Sequence, residues 1–134
     1  MVVEDDEDDR ELLAGIFKNL QLENEILFFN DGGRAFDYLI ESETLPFLIL
    51  SDIHMPGLNG PELCDKIRRD EKLKPLHIPF IYFTTSTTKM AIASAYAADA
   101  DGFFIKPSSY SELEQCIEQI VTYWASCQLP SDYI

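Results

Sequence analysis

The chain has 134 residues, 46% of them hydrophobic, with 24 acidic and 10 basic side chains that leave a formal net charge of −14. That size and composition suit one globular domain with its own core and exclude a disordered chain. The negative field repels phosphate backbones, which argues against direct nucleic-acid binding, and most of the acids read as a solvated surface.

In chain order, Met1-Val2-Val3 reads as a strand ending on Glu4-Asp5. Glu7 to Leu20 reads as a helix with Leu12, Leu13, Ile16, Phe17 and Leu20 as its apolar stripe, and Asp6, Asp8 and Asp9 fit its N-terminal cap and dipole. Glu25-Ile-Leu-Phe-Phe29 reads as a second strand, after which Asp31 caps a helix to about Ile40. Phe47 to Ser51 is apolar at every position before its serine, as suits a strand covered on both faces, and it ends on Asp52. The loop Met55-Pro-Gly-Leu-Asn-Gly60 leads into a helix with Pro61 in its first turn and Leu63, Cys64 and Ile67 inward, ending before Lys74-Pro75. Phe80 to Phe83 is a fourth strand, Thr88 to Ala98 an Ala-rich helix, and Gly102 to Ile105 a fifth strand. Ser109-x-x-Glu112 predicts a capping box for a last helix to about Cys127, carried on Leu113, Ile117, Ile120, Val121 and Trp124.

Five strands alternating with five helices predict an α/β fold, a doubly wound parallel sheet of order 2-1-3-4-5 with helices on both faces. The domain is expected over residues 1–130, with a tail at 131–134. A central strand usually has about five residues, and only three precede Glu4, so a few residues are expected to be missing before Met1. Cys64, Cys116 and Cys127 make no CxxC pair and no zinc spacing with His54 or His77, so inert thiols in a reducing compartment are expected. No run approaches ~18 apolar residues and no signal pattern opens the chain, which predicts a soluble, cytoplasmic protein without a membrane partner.

Ligands in such sheets bind at the carboxyl ends of the strands, where the winding reverses. Here that point lies between the first and third strands, which carry Glu4-Asp5 and Asp52, and Lys106 arrives at the same edge. Asp99 and Asp101 fall at the other edge and are set aside. Two like charges ~4 Å apart cost about 4 kcal/mol at an effective dielectric of 20, so the three carboxylates need a cation. Three carboxylates, one ammonium and room for a divalent metal point to phosphoryl transfer.

The segments Val3-Glu4-Asp5-Asp6, Leu50 to Gly60 with Met55-Pro56-Gly57 at its centre, Phe83-Thr84-Thr85-Ser86 and Lys106-Pro107 occur in the order, and at the strand ends, of the receiver domain of two-component response regulators. The resemblance spans nearly the whole chain and implies the flavodoxin-like receiver fold. It implies that Asp52 is the phosphoacceptor, supplied by a histidine kinase or a histidine phosphotransfer protein. It implies Mg²⁺ held by Glu4, Asp5, Asp52 and the main-chain carbonyl of His54, with Glu4 acting through water. Lys106 is expected to pair with a phosphoryl oxygen, ahead of a cis bond to Pro107. Thr84 is expected to hydrogen-bond the phosphoryl group, and Phe103 to turn inward as an aromatic switch that reshapes the surface of the fourth helix and fifth strand.

Phe103 stands where Tyr or His is more usual and cannot donate a hydrogen bond, so its switching would rest on packing. Thr85 replaces a small residue, and His54 and Ser86 take the positions that influence phosphoryl lifetime. The reading is a stand-alone receiver that signals through a downstream protein effector and is not an enzyme beyond its own phosphorylation and dephosphorylation. Its tail, Tyr123 to Pro130, resembles the small regulators partnered with bacterial phytochromes. An exposed Trp124 would mark a homodimer or partner surface; otherwise Trp124 and Leu129 cover the domain's own core. An aspartyl phosphatase is the rival class, but it needs an Asp-x-Asp acid where this chain has His54, and a cap. A degenerate binding module would lack the acceptor or the lysine.

Overall fold

The computed structural model describes residues 1–85 and 88–133, at 131 and 133 the backbone alone. Five strands, β1 (Val2–Val3), β2 (Phe28–Phe29), β3 (Ile49–Ser51), β4 (Phe80–Thr84) and β5 (Gly102–Ile105), pair in parallel in the order β2-β1-β3-β4-β5. Between and after them run α1 (Glu7–Leu20), α2 (Gly32–Glu41), α3 (Gly60–Arg69), α4 (Lys89–Ala97) and α5 (Tyr110–Ser126), with short 3-10 turns at Lys74–Leu76 and Pro130–Tyr133. The expected fold is the one observed. Among the described residues no helix is long and apolar enough to cross a membrane.

Alternation along the strands divides the core into two layers. Val2, Leu50, Ile81 and Phe83 face α1 and α5, where Leu13, Ile16, Phe17, Leu113, Ile117 and Ile120 are buried. Val3, Ile49, Phe80 and Tyr82 face the other helices, packing with Leu39, Leu63, Ile67 and Ala95. Leu12 departs from its expected place: it is exposed, because the buried stripe of α1 runs through Leu13 and Ile16. Trp124 is half-buried against the α1/α5 layer and covers the domain's own core. Cys64 is fully buried, its thiol donates to Ala98 O at 3.2 Å, and burial pushes that thiol up to about 12.

Side-chain caps set where the helices begin. Asp6, Asp31, Asn59, Thr88 and Ser109 each accept a hydrogen bond from the main-chain amide three residues on. The reciprocal capping box forms at Asn59 and Glu62, at 2.9 and 3.2 Å. At Ser109 only the serine half is made, from Glu112 N at 3.2 Å.

Strands β2 and β3 are shorter than their apolar runs. Val2 pairs with Phe28 and Leu50, and Val3 with Phe29 and Ser51. The Met1 ammonium donates to Leu48 O at 2.9 Å, and burial lowers it to about 5. At the opposite end of the sheet from the carboxylates, Arg68 donates to Ile78 O, Asp99 O and Asp101 Oδ2, and Asp101 also accepts from Phe80 N at 2.9 Å. Asp101 thus closes the sheet's lower edge and stands apart from the acidic cluster. The cis bond expected before Pro107 is absent, since no peptide bond among the described residues is cis.

Candidate functional site

The parallel ladder continues one residue past the strands. Glu4 N donates to Phe29 O at 2.9 Å and Asp52 N to Val3 O at 3.0 Å, so Glu4 and Asp52 leave neighbouring strand tips in step. Lys106 N donates to Thr84 O at 2.7 Å, which holds the lysine at the same edge. Arg10 reaches back from α1 and donates through Nη1 to both Glu4 O and Asp5 O at 3.0 Å, pinning the acidic turn. The loop after Asp52 is held just as firmly. Met55 is buried, Gly57 turns the chain at φ +70°, and Gly60 N donates to Ile53 O at 2.9 Å. A Cβ on Gly60 would stand 2.4 Å from Asp52 O and 2.8 Å from the Tyr82 ring, so only glycine lets α3 begin this close to the main chain of Asp52.

On this frame the side chains converge. Lys106 Nζ bonds Glu4 Oε1 in a very short contact, lies 3.2 Å from Asp9 Oδ2 and 4.0 Å from Asp52 Oδ2. The Lys106 side chain is only 7% exposed and that of Glu4 2%, so this ion pair is shielded from water. Asp52 Oδ1 accepts from Ile53 N at 2.7 Å, which leaves Oδ2 as the oxygen facing the lysine. Carboxylate oxygens of Glu4, Asp5 and Asp52 lie within 4.8 Å of one another, grading from buried Glu4 through half-buried Asp52 to exposed Asp5.

Burial pushes the Glu4 carboxyl up to about 8, against the pull of Lys106 and with the help of the Asp52 charge. Burial alone would draw Lys106 down, but its bond to Glu4 and the charges of Glu4, Asp52 and Asp9 outweigh it, and the ammonium is held above its ordinary 10.5. Burial raises Glu4 and the surrounding carboxylates raise Lys106, so both groups retain their protons. Glu4 Oε2 is buried without a hydrogen-bond partner among the described residues. Clustered hard oxygens, excess negative charge and an unpartnered carboxylate oxygen together fit a small divalent cation.

Of the residues expected at the site, Glu4, Asp5, Asp52 and Lys106 are brought together. Thr84 is buried at the tip of β4, between the strands that carry Asp52 and Lys106. His54 is exposed beside Asp5, Met55, Pro56 and Asn59 around an open hollow. Phe103 is half-buried, its ring 5.8 Å from that of Tyr82, whose hydroxyl has no partner among the described residues. Ser86 lies outside the described residues.

Asp9 stands in the acidic first turn of α1, as expected for the helix dipole, but its side chain makes no cap and is the lysine's second partner. The stripe of Leu13 and Ile16, continued back one turn, reaches Asp9, so helical spacing already placed it on the sheet-facing side. Asp6 alone makes the cap, accepting from Asp9 N at 2.9 Å.

The sequence model of the response regulator receiver domain family matches residues 1–118. The chain is 33% identical over 128 residues to the probable methanogenesis regulatory protein FilR2 of Methanothrix harundinacea, covering 92% of this chain and 81% of that protein. It is 26% identical over 129 residues to the response regulator Rcp1 of Synechocystis, covering 92% and 86%. Its fold superposes on the phosphorylated cyanobacterial phytochrome response regulator RcpA with a TM-score of 0.86, at 29% identity over 97% of this chain and 96% of that one. The Mn²⁺-bound form of Rcp1 superposes at 0.82, with 25% identity and 96% of each chain covered. With the sheet order, the strand-end carboxylates and the lysine in place, the chain belongs to the response regulator receiver domain family.

Proposed function

We propose that the protein is a phosphorylation-driven switch of a two-component phosphorelay, taking a phosphoryl group on Asp52. The observation that carries this reading is the meeting of Asp52 Oδ2 with Lys106 Nζ at 4.0 Å, beside the carboxylates of Glu4 and Asp5. A carboxylate oxygen is a workable nucleophile for phosphorus, and the remaining task is positioning and charge neutralisation. Ile53 N–H holds Oδ1 and orients the carboxylate, so the bond to phosphorus forms at Oδ2. With a phosphohistidine donor the P–N bond breaks, and imidazole that carries a proton on its other ring nitrogen leaves neutral. The Lys106 ammonium then lies within short reach of the charge on the transferred group. Buried Thr84, tied to Lys106 through the main chain, offers its hydroxyl from β4.

Glu4, Asp5 and Asp52, with the carbonyl of His54, would hold Mg²⁺, which when bound offsets charge on the carboxylates and the phosphoryl oxygens. Relatives that carry a divalent ion and a phosphoryl group support this choice. Histidine kinases or histidine phosphotransfer proteins suit the donor role. Phosphorylation would shift the population of the β4–β5 tip, with Phe103 repacking against Tyr82. Tyr96, Phe104, Ile105 and Tyr123 are exposed and offer the altered surface to a protein effector or a second copy. On this reading the chain turns over no separate substrate.

The test is incubation with acetyl phosphate and Mg²⁺ followed by intact-mass measurement. An adduct of ~80 Da is expected on the wild type, absent from Asp52→Asn and lost with EDTA. Equal labelling of Asp52→Asn would move the acceptor elsewhere.

A further inference from the structure

Three carboxylates compete for one ammonium, and the proposed phosphotransfer has use for only two of them. Glu4 and Asp52 leave the strand tips of the sheet; Asp9 comes from the first turn of α1 and approaches Lys106 Nζ to 3.2 Å, nearer than the 4.0 Å to Asp52. The lysine side chain is 7% exposed and its main chain is fixed by the Lys106 N to Thr84 O bond, so Nζ has little room. Its position is the balance of these pulls. A phosphoryl oxygen carried on Asp52 Oδ2 has to win Nζ from these partners, Asp9 among them.

We infer that Asp9 is a positioning residue that holds the Lys106 ammonium back from Asp52 in the unmodified chain and thereby slows phosphoryl acceptance. This rests on the phosphoacceptor reading above and adds a residue to it. Asp9 is 34% exposed, so its pull is moderated by solvent, and an ion pair of that kind is worth a few-fold in a rate or population.

The experiment measures the rate of adduct formation from acetyl phosphate and Mg²⁺ by intact mass. Asp9→Asn keeps the side chain's shape and its amide's bond to Asp6, and it should raise the rate about two- to five-fold. Asp9→Glu restores the charge within reach of the lysine and should return the wild-type rate. Asp8→Asn removes the same charge from an exposed neighbouring position and should leave the rate unchanged, which separates the local pull from general repulsion of an anionic donor. In a Lys106→Ala background the Asp9→Asn effect should vanish, as a double-mutant cycle requires of a residue acting through the lysine. An unchanged or slower rate in Asp9→Asn overturns the inference, as does an equal gain in Asp8→Asn or without Lys106. Failure of the wild type itself to take up phosphorus would instead remove the phosphoacceptor reading.

Discussion

The main-chain amide of Lys106 donates to the carbonyl of Thr84 across 2.7 Å, so the lysine that faces the acidic pocket and the buried threonine beside it move as one unit. Thr84 ends β4 and Lys106 directly follows the end of β5, so no side-chain rearrangement can separate them without opening the end of the β4–β5 ladder. Any event at Asp52 that draws Lys106 Nζ therefore pulls on the tip of β4 as well. From it follow opposite expectations for the two charges that meet in the pocket.

Lys106→Met leaves Glu4 buried without its cation. Removing one partner of a buried pair costs several kcal/mol, and because Glu4 can take up a proton the expected loss is about 3 kcal/mol in urea unfolding near neutral pH. Asp52→Asn, by contrast, removes one of the crowded negative charges and should stabilise the metal-free chain by about 1 kcal/mol. A destabilised Asp52→Asn with normal spectra would show that the pocket does not carry the excess charge described.

The Glu4 carboxyl is raised from an ordinary 4.5 to about 8 by burial. Between those values the folded chain holds a proton that the unfolded chain has released, so stability is greatest at the acid end and falls as pH rises through about 8. Lys106, raised above 10.5, adds a loss only beyond that ordinary value. The buried Met1 ammonium, lowered to about 5, has the opposite slope over the same range. Denaturation at about pH 5 and about pH 8.5 should therefore show the metal-free chain losing on the order of 3 kcal/mol relative to Glu4→Gln, in which only the opposing slope remains. Added Mg²⁺ should oppose this loss at the alkaline end. A profile equally steep in Glu4→Gln would assign the effect to other groups.

Gly60→Ala places a methyl 2.4 Å from Asp52 O, against main chain that cannot swing aside. The start of α3 must shift, at about 1–3 kcal/mol, and Asp52 moves with it. Thermal unfolding should register the loss, and the phosphorylation rate should fall more than for Gly15→Ala, where nothing lies within 4 Å of the added methyl.

Tyr82→Phe removes a buried hydroxyl that has no partner among the described residues while keeping the ring packed between Phe80 and Phe103. Leaving such a group unsatisfied costs about 1–3 kcal/mol, so the variant should be more stable than the parent by about 1 kcal/mol. Loss of stability in Tyr82→Phe would reveal a partner for the hydroxyl.

The order of elements, the two-faced sheet and the identity of the cluster were legible in the residues alone, because each rests on short-range signals. A run such as Phe80 to Phe83 is apolar throughout, helices announce their starts through Asp31, Asn59 and Ser109, and strand ends in a parallel sheet share one edge. Glu4, Asp5, Asp52 and Lys106 could be gathered on that rule alone. Packing in three dimensions set the register in which β2 and β3 pair with β1. It also decided which carboxylates hold the lysine. Asp9 and Lys106 are 97 positions apart, and their meeting at 3.2 Å depends on how α1 packs over the strand tips. The same holds for the absent methyl of Gly60 and the solitary hydroxyl of Tyr82: side-chain contact across elements is a property of packing, which no local pattern encodes.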